Sequence, residues 1–329
     1  MLASSYNLDG DDPPSRYQVL EKIGHGSFGE VLKAVHKPTG HLVALKKILL
    51  RRPEKGLPDN VLREIKLLQR VDHPNVVRLN EVFAQGSSLV LSCEYCPTDL
   101  SQVLRRPELL HAAVVKGVVL QMARGVAAMH AASVLHRDLK PSNVLLSQQG
   151  DVKLADFGLA RLHDRSGPYT HTVATRWYRA PELLYGAREY GTGVDVWALG
   201  CIFAELLGGC PLLPGEHDID QLFCVIKMFG NPSEDTWPQL RTLPDYPKIS
   251  FPEMPGIPLS EMLPDASPRA IALLTKLLTY NPDHRPSAVE VLLDEYFLED
   301  PLPALPGDLP SNALEISNSG DVCWNEAWL

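Results

Sequence analysis

The pattern of apolar residues changes once along this chain, near residue 95, and that change limits the folds available to it. Before it, segments such as YQVLEKIG, EVLKAVHK and SLVLSCEY are short and separated by Gly-containing turns, which is typical of strands. One helical segment, DNVLREIKLLQRV, interrupts them, with Asp59 as its expected N-cap. Beyond residue 99, HAAVVKGVVLQMARGVAAMH and later segments have helical spacing. We therefore expect an α+β, bilobal fold in which a small sheet-rich lobe precedes a larger, mainly α-helical lobe.

Composition excludes several classes of protein. The 329 residues are 45% hydrophobic and 22% charged, as in globular proteins, and the net charge of −9 argues against nucleic acid or an anionic membrane as the main partner. We find no signal peptide and no uncharged apolar run that could span a bilayer, so we expect an intracellular protein. The six cysteines are scattered, which predicts reduced thiols. Cys93 and Cys96 form one C-x-x-C pair, but no second pair at zinc spacing accompanies them.

The chain divides into three expected parts. Residues 1–16 are polar, acidic and Pro-rich, which predicts a disordered tail, and residues 299–329 are predicted to form a loosely ordered C-terminal tail. The folded part, 17–298, is divided into a small lobe at about 17–94, a hinge at about 94–99 and a large lobe at 100–298. Within the large lobe, Ser267 and Ser287 are the expected N-caps of two helices, the second with Glu290 in a capping box.

A glycine-rich stretch, GHGSFGEV, follows the first predicted strand. Gly24, Gly26 and Gly29 stand at its first, third and sixth places, where a backbone without side chains can approach phosphates and offer N–H donors. The dinucleotide-binding motif has the same spacing, but it opens a helix, whereas predicted strands flank these glycines on both sides. The context therefore favours a phosphate-binding loop between two strands.

A lysine in the third predicted strand needs a partner. Lys46 of VALKK lies among apolar residues, and burying a lone ammonium costs free energy. Glu64, midway along the one predicted helix of this lobe, is the candidate partner. The alternative is that both residues are ordinary surface charges.

The most specific signal is VLHRDLKPSNVLL followed by DVKLADFG. Asp138, Lys140 and Asn143 lie between apolar segments, and a strand-like run delivers Asp156 eighteen residues after Asp138. Phosphoryl transfer needs a carboxylate for the attacking hydroxyl, oxygen ligands for Mg²⁺ and cations on the phosphates. These four residues and Lys46 supply that set.

In these motifs and their order, the sequence resembles the eukaryotic protein kinases over about residues 17–298. The resemblance implies ATP and Mg²⁺ as cofactors. The glycine-rich loop would cover the ATP phosphates, Lys46 paired with Glu64 would hold the α and β phosphates, and Asn143 and Asp156 would hold the metal ions.

The resemblance also implies catalytic and structural roles in the large lobe. Asp138 would orient the acceptor hydroxyl and Lys140 would steady the γ-phosphate. Glu182 of APE would pair with Arg285, and Asp195 would brace the catalytic loop from a helix.

The same likeness implies an adenine pocket at CEYC. Cys93 would flank this pocket, while the backbone of Glu94 and Cys96 would bond the adenine edge. The implied nucleotide-binding residues are Ile23, Gly24, Gly26, Gly29, Val31, Ala44, Lys46, Glu64, Cys93, Glu94, Cys96, Asp99 and Leu145.

Within this family, WYRAPELLYG, PDNVLREI and a Pro-rich insert after GCIFAELL resemble the cyclin-dependent kinases. That likeness implies protein substrates, a role in cell-cycle control, an upstream activating kinase and a cyclin or cyclin-like activator. PDNVLRE departs from the usual cyclin-docking sequence while keeping Pro58, Arg63 and Glu64, which weakens the expectation of a cyclin. We expect the nucleus and cytoplasm as location, with the cilium added by resemblance alone.

The resemblance also predicts a phosphorylation switch. Thr170 stands ten residues before Ala180, where the cyclin-dependent kinases carry their activating phosphothreonine. Arg63, Arg137 and Arg161 are implied to meet that phosphate, and without it these cations would converge unneutralised, so we predict low basal activity. In the glycine-rich loop, Ser27 is the remaining inhibitory phosphorylation site, because Phe28 stands in place of the usual tyrosine.

Two further residues are implied to set the substrate. Arg179 would satisfy the carbonyl of Ala174, which is twisted from its usual conformation, so that no acceptor faces the substrate residue after the phosphoacceptor. An amide N–H there would stay unpaired, at a cost of roughly 1–3 kcal/mol, whereas proline has no N–H. We therefore expect Ser/Thr-Pro sites as substrates, with Thr175 in the cleft beside Asp138 and Lys140.

Three alternatives stay open. A mitogen-activated-kinase-like enzyme would need Tyr where this chain has Thr172, and a metabolite kinase would not need the APE segment. A pseudokinase scaffold would usually have lost Lys46, Asp138 or Asp156, and this chain keeps all three.

Overall fold

A five-stranded antiparallel sheet and one helix form the small lobe. A computed structural model describes residues 13–26, 29–50, 57–163, 169–170 and 173–311. The strand order in the sheet is β1-β2-β3-β5-β4. The elements are β1 (Tyr17–Gly26), β2 (Gly29–His36), β3 (His41–Leu49), α1 (Asp59–Arg70), β4 (Leu79–Gln85) and β5 (Ser88–Glu94).

The alternation of side chains along β3 decides which residues face α1. Val43 and Leu45 join an apolar cluster on the outer face of the sheet, whereas Ile48 packs with Val61 and Ile65 of α1. Because successive side chains of a strand point to opposite faces, Lys46 lies on the same face as Ile48, towards α1. The strand pattern therefore brings this lysine towards the helix that carries Glu64.

The large lobe is built around two buried helices. It contains β6 (Thr98–Asp99), α2 (Leu100–Leu104), α3 (Ala112–Ala131), β7 (Val134–Leu135), β8 (Val144–Leu146), β9 (Val152–Leu154), β10 (Arg161–Leu162), α4 (Pro181–Leu184), α5 (Gly193–Gly208), α6 (Asp218–Phe229), α7 (Leu259–Met262), α8 (Pro268–Leu277) and α9 (Ala288–Leu292). In the described part of the chain, α3 is the one helix long and apolar enough to cross a membrane, but 67% of its most apolar window is buried inside the domain. That burial is expected of a core helix.

Short strands carry the catalytic residues between these helices. β6, β8 and β9 form one small sheet, and β7 pairs with β10 in another. The segment between β7 and β8 contains Asp138 to Asn143, and the segment between β9 and β10 contains Asp156. The two small sheets therefore place both segments at the border between the lobes.

The helix caps agree with the sequence at two of three positions. Ser267 accepts a hydrogen bond from the Ala270 N–H, and Ser287 and Glu290 form the predicted capping box. The prediction for Asp59 is wrong, because Pro58 is the N-cap of α1 and Asp59 is its first helical residue. The Pro58 carbonyl accepts from the N–H groups of Val61 and Leu62, so Asp59 contributes only its charge to the first turn.

The C-terminal segment is ordered further than its composition suggests. From 299 to 311 it runs over α3, where buried Lys116 donates to the Glu299 carbonyl at 2.8 Å and the Ala304 N–H donates to the Ala113 carbonyl at 2.8 Å. Leu309 is 4% exposed. The expectation of a loose tail is therefore corrected for this stretch, which backbone and apolar contacts hold in place. At the other end, residues 13–16 form a 3₁₀ turn.

Candidate active site

Lys46 connects the two lobes. Its Nζ lies 2.6 Å from Oε1 of Glu64 and 3.3 Å from Oδ1 of Asp156. Burial acts to lower the pKa of Lys46, but the charges of Glu64 and Asp156 outweigh it and raise this pKa. The predicted Lys46–Glu64 pair is therefore present, which rules out the alternative that both are ordinary surface charges.

A compact cluster surrounds Asp138. Its Oδ1 accepts from both the N–H (2.9 Å) and the hydroxyl (3.0 Å) of Thr175, and its Oδ2 lies 3.0 Å from Nζ of Lys140. Lys140 also donates to the Thr175 hydroxyl at 3.0 Å, and Asn143 Nδ2 donates to the Asp138 carbonyl at 2.8 Å. The structure brings together the four residues that the sequence places in the cleft.

Asp195 of α5 holds the backbone before Asp138. Its carboxylate accepts from the N–H groups of His136 (2.9 Å) and Arg137 (2.8 Å) and from the His130 ring at 2.9 Å. Burial acts to raise the pKa of Asp195, but these bonds hold it below its ordinary value. Arg137 adopts a φ of +67°, which this ionised carboxylate helps to fix, so Asp195 braces the loop as predicted.

Asp156 and Asn143 are candidate metal ligands. The Ala155 N–H donates to the Asn143 carbonyl at 2.9 Å, which sets the two residues side by side. Burial acts to raise the pKa of Asp156, but the charge of Lys46 outweighs it and lowers this pKa, so the carboxylate is ionised. Among the described residues, no group of three or more His, Cys, Asp or Glu could hold a metal by itself. A carboxylate and an amide fit Mg²⁺, which completes its coordination with phosphates and water.

The glycine-rich loop lies between β1 and β2. Gly26 pairs with Gly29 at the tip of the β1–β2 hairpin, and a Cβ at Gly29 would lie 1.8 Å from the Lys47 carbonyl oxygen. This contact requires glycine. Behind the loop, Val31 stands opposite Lys46 and Ala44 opposite Cys93, so the predicted pocket residues share one wall. Ser27, Phe28 and Thr172 lie outside the described residues.

The hinge is anchored by the side chain of Glu94. Its carboxylate lies 3.0 Å from Nζ of Lys153 on β9 and accepts from the Arg78 N–H at 2.7 Å, while its own N–H donates to the Arg78 carbonyl at 3.1 Å. Burial raises the pKa of both Cys93 and Cys96 to about 12, so both are neutral thiols.

The other residues implied to contact the nucleotide differ in exposure and in whether their side chains are already hydrogen-bonded. Asp99 uses its carboxylate to cap α2, accepting from the N–H groups of Ser101 and Gln102. Leu145 lies half-buried in β8, and Ile23 and Gly24 lie in β1, with Ile23 42% exposed.

Arg179 and Glu182 fasten the segment after Thr175. Arg179 donates to the carbonyls of Val173 (2.8 Å) and Ala174 (3.0 Å), and Ala174 has a φ of +66°. Glu182 pairs with Arg285 through two bonds of 2.7 Å, and their side chains are 3% and 0% exposed. The predicted contacts of Arg179 and Glu182 are thus both present. We call residues 173–182 the platform.

The surroundings of Thr170 agree only in part with the sequence-based prediction. Burial lowers the pKa of Arg63, and the charges of Arg161 and Arg137 lower it further, so the three arginines are close enough to interact. A cavity of about 330 Å³ is lined by Arg63, Arg161 and Tyr169 among others. We call the three arginines and residues 169–170 the control region.

Arg137 corrects the expectation that all three cations lack partners. It donates to the Leu159 carbonyl at 2.8 Å and to the Tyr190 hydroxyl at 2.7 Å, and that hydroxyl donates to the Thr170 carbonyl at 2.7 Å. Sequence reasoning missed Tyr190, because no motif links it with Arg137, 53 positions away.

Two further acids were missed. Glu205 of α5 accepts from the Tyr178 hydroxyl at 2.7 Å, and burial raises its pKa to about 7 despite that bond. Asp218, the first residue of α6, accepts from both Arg176 and Arg179. An acid among the apolar residues of the second half of α5 was the available signal for Glu205, and an acid in a first turn was the signal for Asp218.

Comparisons with known proteins agree with this geometry. The protein kinase domain model matches residues 17–297. "Cyclin-dependent kinase 20" of Danio rerio is 53% identical over 299 residues, which cover 90% of this chain and 87% of that protein. The Homo sapiens protein of that name is 51% identical over 90% of this chain and 86% of its own. "Cyclin-dependent kinase D-1" of Oryza sativa subsp. japonica is 44% identical over 90% of this chain and 70% of its own.

These matches also test which member of the cyclin-dependent-kinase group the chain resembles. ALKKILLRR, LPDYPKISF and THTVATRWYRAPELLYGAREY indicate a likeness to the cell-cycle-related kinase, and the matches to cyclin-dependent kinase 20 confirm it. The sheet-rich lobe, the helical lobe and the cluster at their border are those of a bilobal kinase fold. The chain therefore belongs to the protein kinase family and is a cyclin-dependent-kinase-like serine/threonine protein kinase.

Proposed function

We propose that this kinase transfers the γ-phosphate of ATP to serine or threonine residues that precede proline. Protein kinases as a family use ATP and Mg²⁺, and the residues described in the cleft are compatible with binding of both. When bound, Mg²⁺ would supply positive charge that neutralises the phosphates. Asn143 and Asp156 would hold it, while Lys46, fixed by Glu64, would contact the α and β phosphates.

Asp138 is the group that we propose to orient the attacking hydroxyl of the substrate. Its contacts with Lys140 and Thr175 place a cation and a hydroxyl beside the position where the acceptor would lie. A carboxylate there orients the hydroxyl and accepts its proton, and Lys140 supports the transferred phosphate. Thr175 is the platform residue that contacts Asp138 in the cleft.

The contact of Arg179 with the Ala174 carbonyl, at 3.0 Å, carries the proline preference. With this carbonyl engaged and Ala174 at a φ of +66°, the acceptor that an ordinary substrate N–H would use is turned away. Proline has no N–H to leave unpaired, which favours it by roughly 1–3 kcal/mol.

The test compares peptides that differ only after the phosphoacceptor. We expect the purified kinase to phosphorylate a Ser-Pro peptide at least about 5-fold faster in kcat/KM than its Ser-Ala counterpart, the lower end of the cost above. Asp138→Asn is the control for contaminating kinases. Equal rates for the two peptides would contradict the proline preference.

We further propose that phosphorylation of Thr170 activates the enzyme, in a role in cell-cycle control. The side chains of Arg63 and Arg161 make no hydrogen bond or ion pair within the described ranges, and a phosphate would supply three acceptors for them. Thr170→Ala should keep at most about a tenth of the activity of the phosphorylated enzyme, the effect of one charge-assisted bond. Full activity at saturating substrate would contradict the switch.

An activating partner, cyclin or cyclin-like, would act away from the Lys46–Glu64 pair, because that pair is formed in the single chain at 2.6 Å. Location in the nucleus and cytoplasm, and in the cilium by resemblance, stays a prediction.

A further inference from the structure

One carboxylate is shared by two arginines of the platform. Oδ1 of Asp218 accepts from Nε of Arg176 at 3.0 Å and from Nη1 of Arg179 at 2.9 Å. Arg176 lies 42 positions and Arg179 lies 39 positions before Asp218, so this triad forms only in the folded chain. Two positive charges therefore meet a single negative one.

The loop before α6 fixes the position of Asp218. Arg176 Nη1 donates to the Glu216 carbonyl at 2.9 Å, and the Trp177 indole donates to the Gly215 carbonyl at 3.1 Å. Gly215 in turn donates its N–H to the buried side chain of Gln221 at 3.0 Å. Because the loop and the platform are bound to each other at several points, the carboxylate stays beside the two guanidinium groups.

The triad lies next to the position where the substrate residue after the phosphoacceptor would bind. Thr175, which contacts Asp138, immediately precedes Arg176, and Ala174, whose carbonyl Arg179 holds, comes just before Thr175. The side chains of Arg176 and Asp218 are 40% and 50% exposed, so both are open to an approaching peptide.

The carboxylate of Asp218 determines the charge of this surface. Burial acts to raise its pKa, but the hydrogen bonds and charges of Arg176 and Arg179 outweigh it and lower the pKa. Asp218 is therefore ionised at neutral pH. Without it, the exposed guanidinium group of Arg176 and one nitrogen of the nearly buried Arg179 would lose their counter-charge beside the phosphoacceptor, and guanidinium groups bind carboxylates well.

We propose that Asp218 is a specificity-determining residue, which neutralises Arg176 and Arg179 and so prevents the kinase from recruiting substrates with an acidic residue after the phosphoacceptor. This proposal rests on the proposed function, because it assumes that peptides bind along the platform. It adds a second filter at that position: Arg179 disfavours residues with an N–H, and Asp218 removes the attraction for acids.

The test uses peptides with Glu or Gln after the phosphoacceptor. Both residues carry the same N–H and nearly the same shape, so the ratio of their kcat/KM values reports charge and cancels the proline effect. We expect Asp218→Asn to raise the Glu/Gln ratio about 5-fold, the upper range for one partly exposed ion pair. Asp218→Glu should keep the wild-type ratio, and the double variant Arg176→Gln/Asp218→Asn should lose most of the rise.

Glu234→Gln is the matched control, because it removes one carboxylate from a surface pair with Arg241 and leaves the platform unchanged. A Glu/Gln ratio in Asp218→Asn that equals the wild-type ratio, or an equal rise in Glu234→Gln, would overturn the proposal. If that happens while the Ser-Pro peptide is still preferred over Ser-Ala, the proposed function survives and only the role of Asp218 fails. Failure of the wild type to exceed Asp138→Asn on any peptide would overturn both.

Discussion

The platform follows residues 169–170 of the control region along the chain, but the charges of the two regions are paired differently. In the platform, Glu182 is paired with Arg285, and Arg179 has contacts with two carbonyls and Asp218. In the control region, the side chains of Arg63 and Arg161 make no hydrogen bond or ion pair within the part of the chain that the structure describes. The charges of the platform are therefore paired, whereas among the described residues the side chains of Arg63 and Arg161 have only the charge of Asp59 nearby, without an ion pair.

Burial explains the difference. Glu182 and Arg285 are almost fully buried, and an unpaired charge there would cost several kcal/mol, so this pairing must form with the fold. Arg63 and Arg161 are partly exposed, so water can solvate them without a phosphate, whereas Arg137 is buried and donates to Leu159 and Tyr190. The platform is therefore paired as part of the folded structure, whereas the control region would be completed only by the proposed phosphorylation of Thr170.

The largest expected effect separates the two regions by stability. Glu182→Gln should lower the free energy of unfolding by about 3–5 kcal/mol, because it leaves Arg285 buried without its counter-charge. Arg161→Gln in the unphosphorylated protein should change it by less than about 0.5 kcal/mol. Urea unfolding at pH 7.5 measures both, and a loss of similar size in the two variants would remove the contrast.

The next effect is a pH dependence of stability at Glu205 of α5, which accepts a hydrogen bond from Tyr178 of the platform. Because burial raises the pKa of Glu205 to about 7 in the folded state, its ordinary value being 4.5, the folded state binds this proton more tightly. Its contribution to stability is complete below about pH 4.5 and is lost as the pH rises through about 7, a change of about 3 kcal/mol at most.

Glu205→Gln should therefore flatten the fall in unfolding free energy between pH 5 and pH 7.5. Glu290→Gln is a useful contrast, because hydrogen bonds from Ser287 lower the pKa of this exposed carboxyl. A fall of the same steepness in Glu205→Gln and the wild type would show that Glu205 does not cause it.

The smallest effect concerns the hydroxyl of Tyr190. Tyr190→Phe removes two hydrogen bonds of the neutral Tyr190 hydroxyl. One is accepted from Arg137 and the other is donated to the Thr170 carbonyl. We expect a loss of about 0.5–1.5 kcal/mol in unphosphorylated protein, and a smaller loss once a phosphate engages Arg137. Equal losses in the two forms would mean that Tyr190 and the phosphate do not share this arginine.

The sequence predicts contacts well where a motif fixes both partners. Lys46 and Glu64 are correct because strand alternation and one helix leave few alternatives, and Arg179 with Ala174 is correct because the resemblance to the cyclin-dependent kinases implies that contact. The pairing of Asp218 with Arg179 and of Tyr190 with Arg137 could not be predicted, since these partners lie 39 and 53 positions away and meet only through the packing of the large lobe.

Local rules also fail where neighbours compete. Asp59 is a favoured N-cap by type, but Pro58, with a φ of −57°, already presents its carbonyl to the first turn of α1. The segment 299–311 is rich in proline and lacks periodicity, yet its backbone pairs with α3 through Ala113 and Lys116. Such order depends on a surface elsewhere in the fold, which a local pattern does not record.

The most direct test of the contrast is the Ser-Pro to Ser-Ala ratio of kcat/KM before and after stoichiometric phosphorylation of Thr170. Because the platform is complete without the phosphate, we predict that phosphorylation raises kcat/KM for both peptides by about 10-fold or more while their ratio changes by less than about 2-fold. A ratio near one that becomes large only after phosphorylation would contradict the account, because the platform would then depend on the control region.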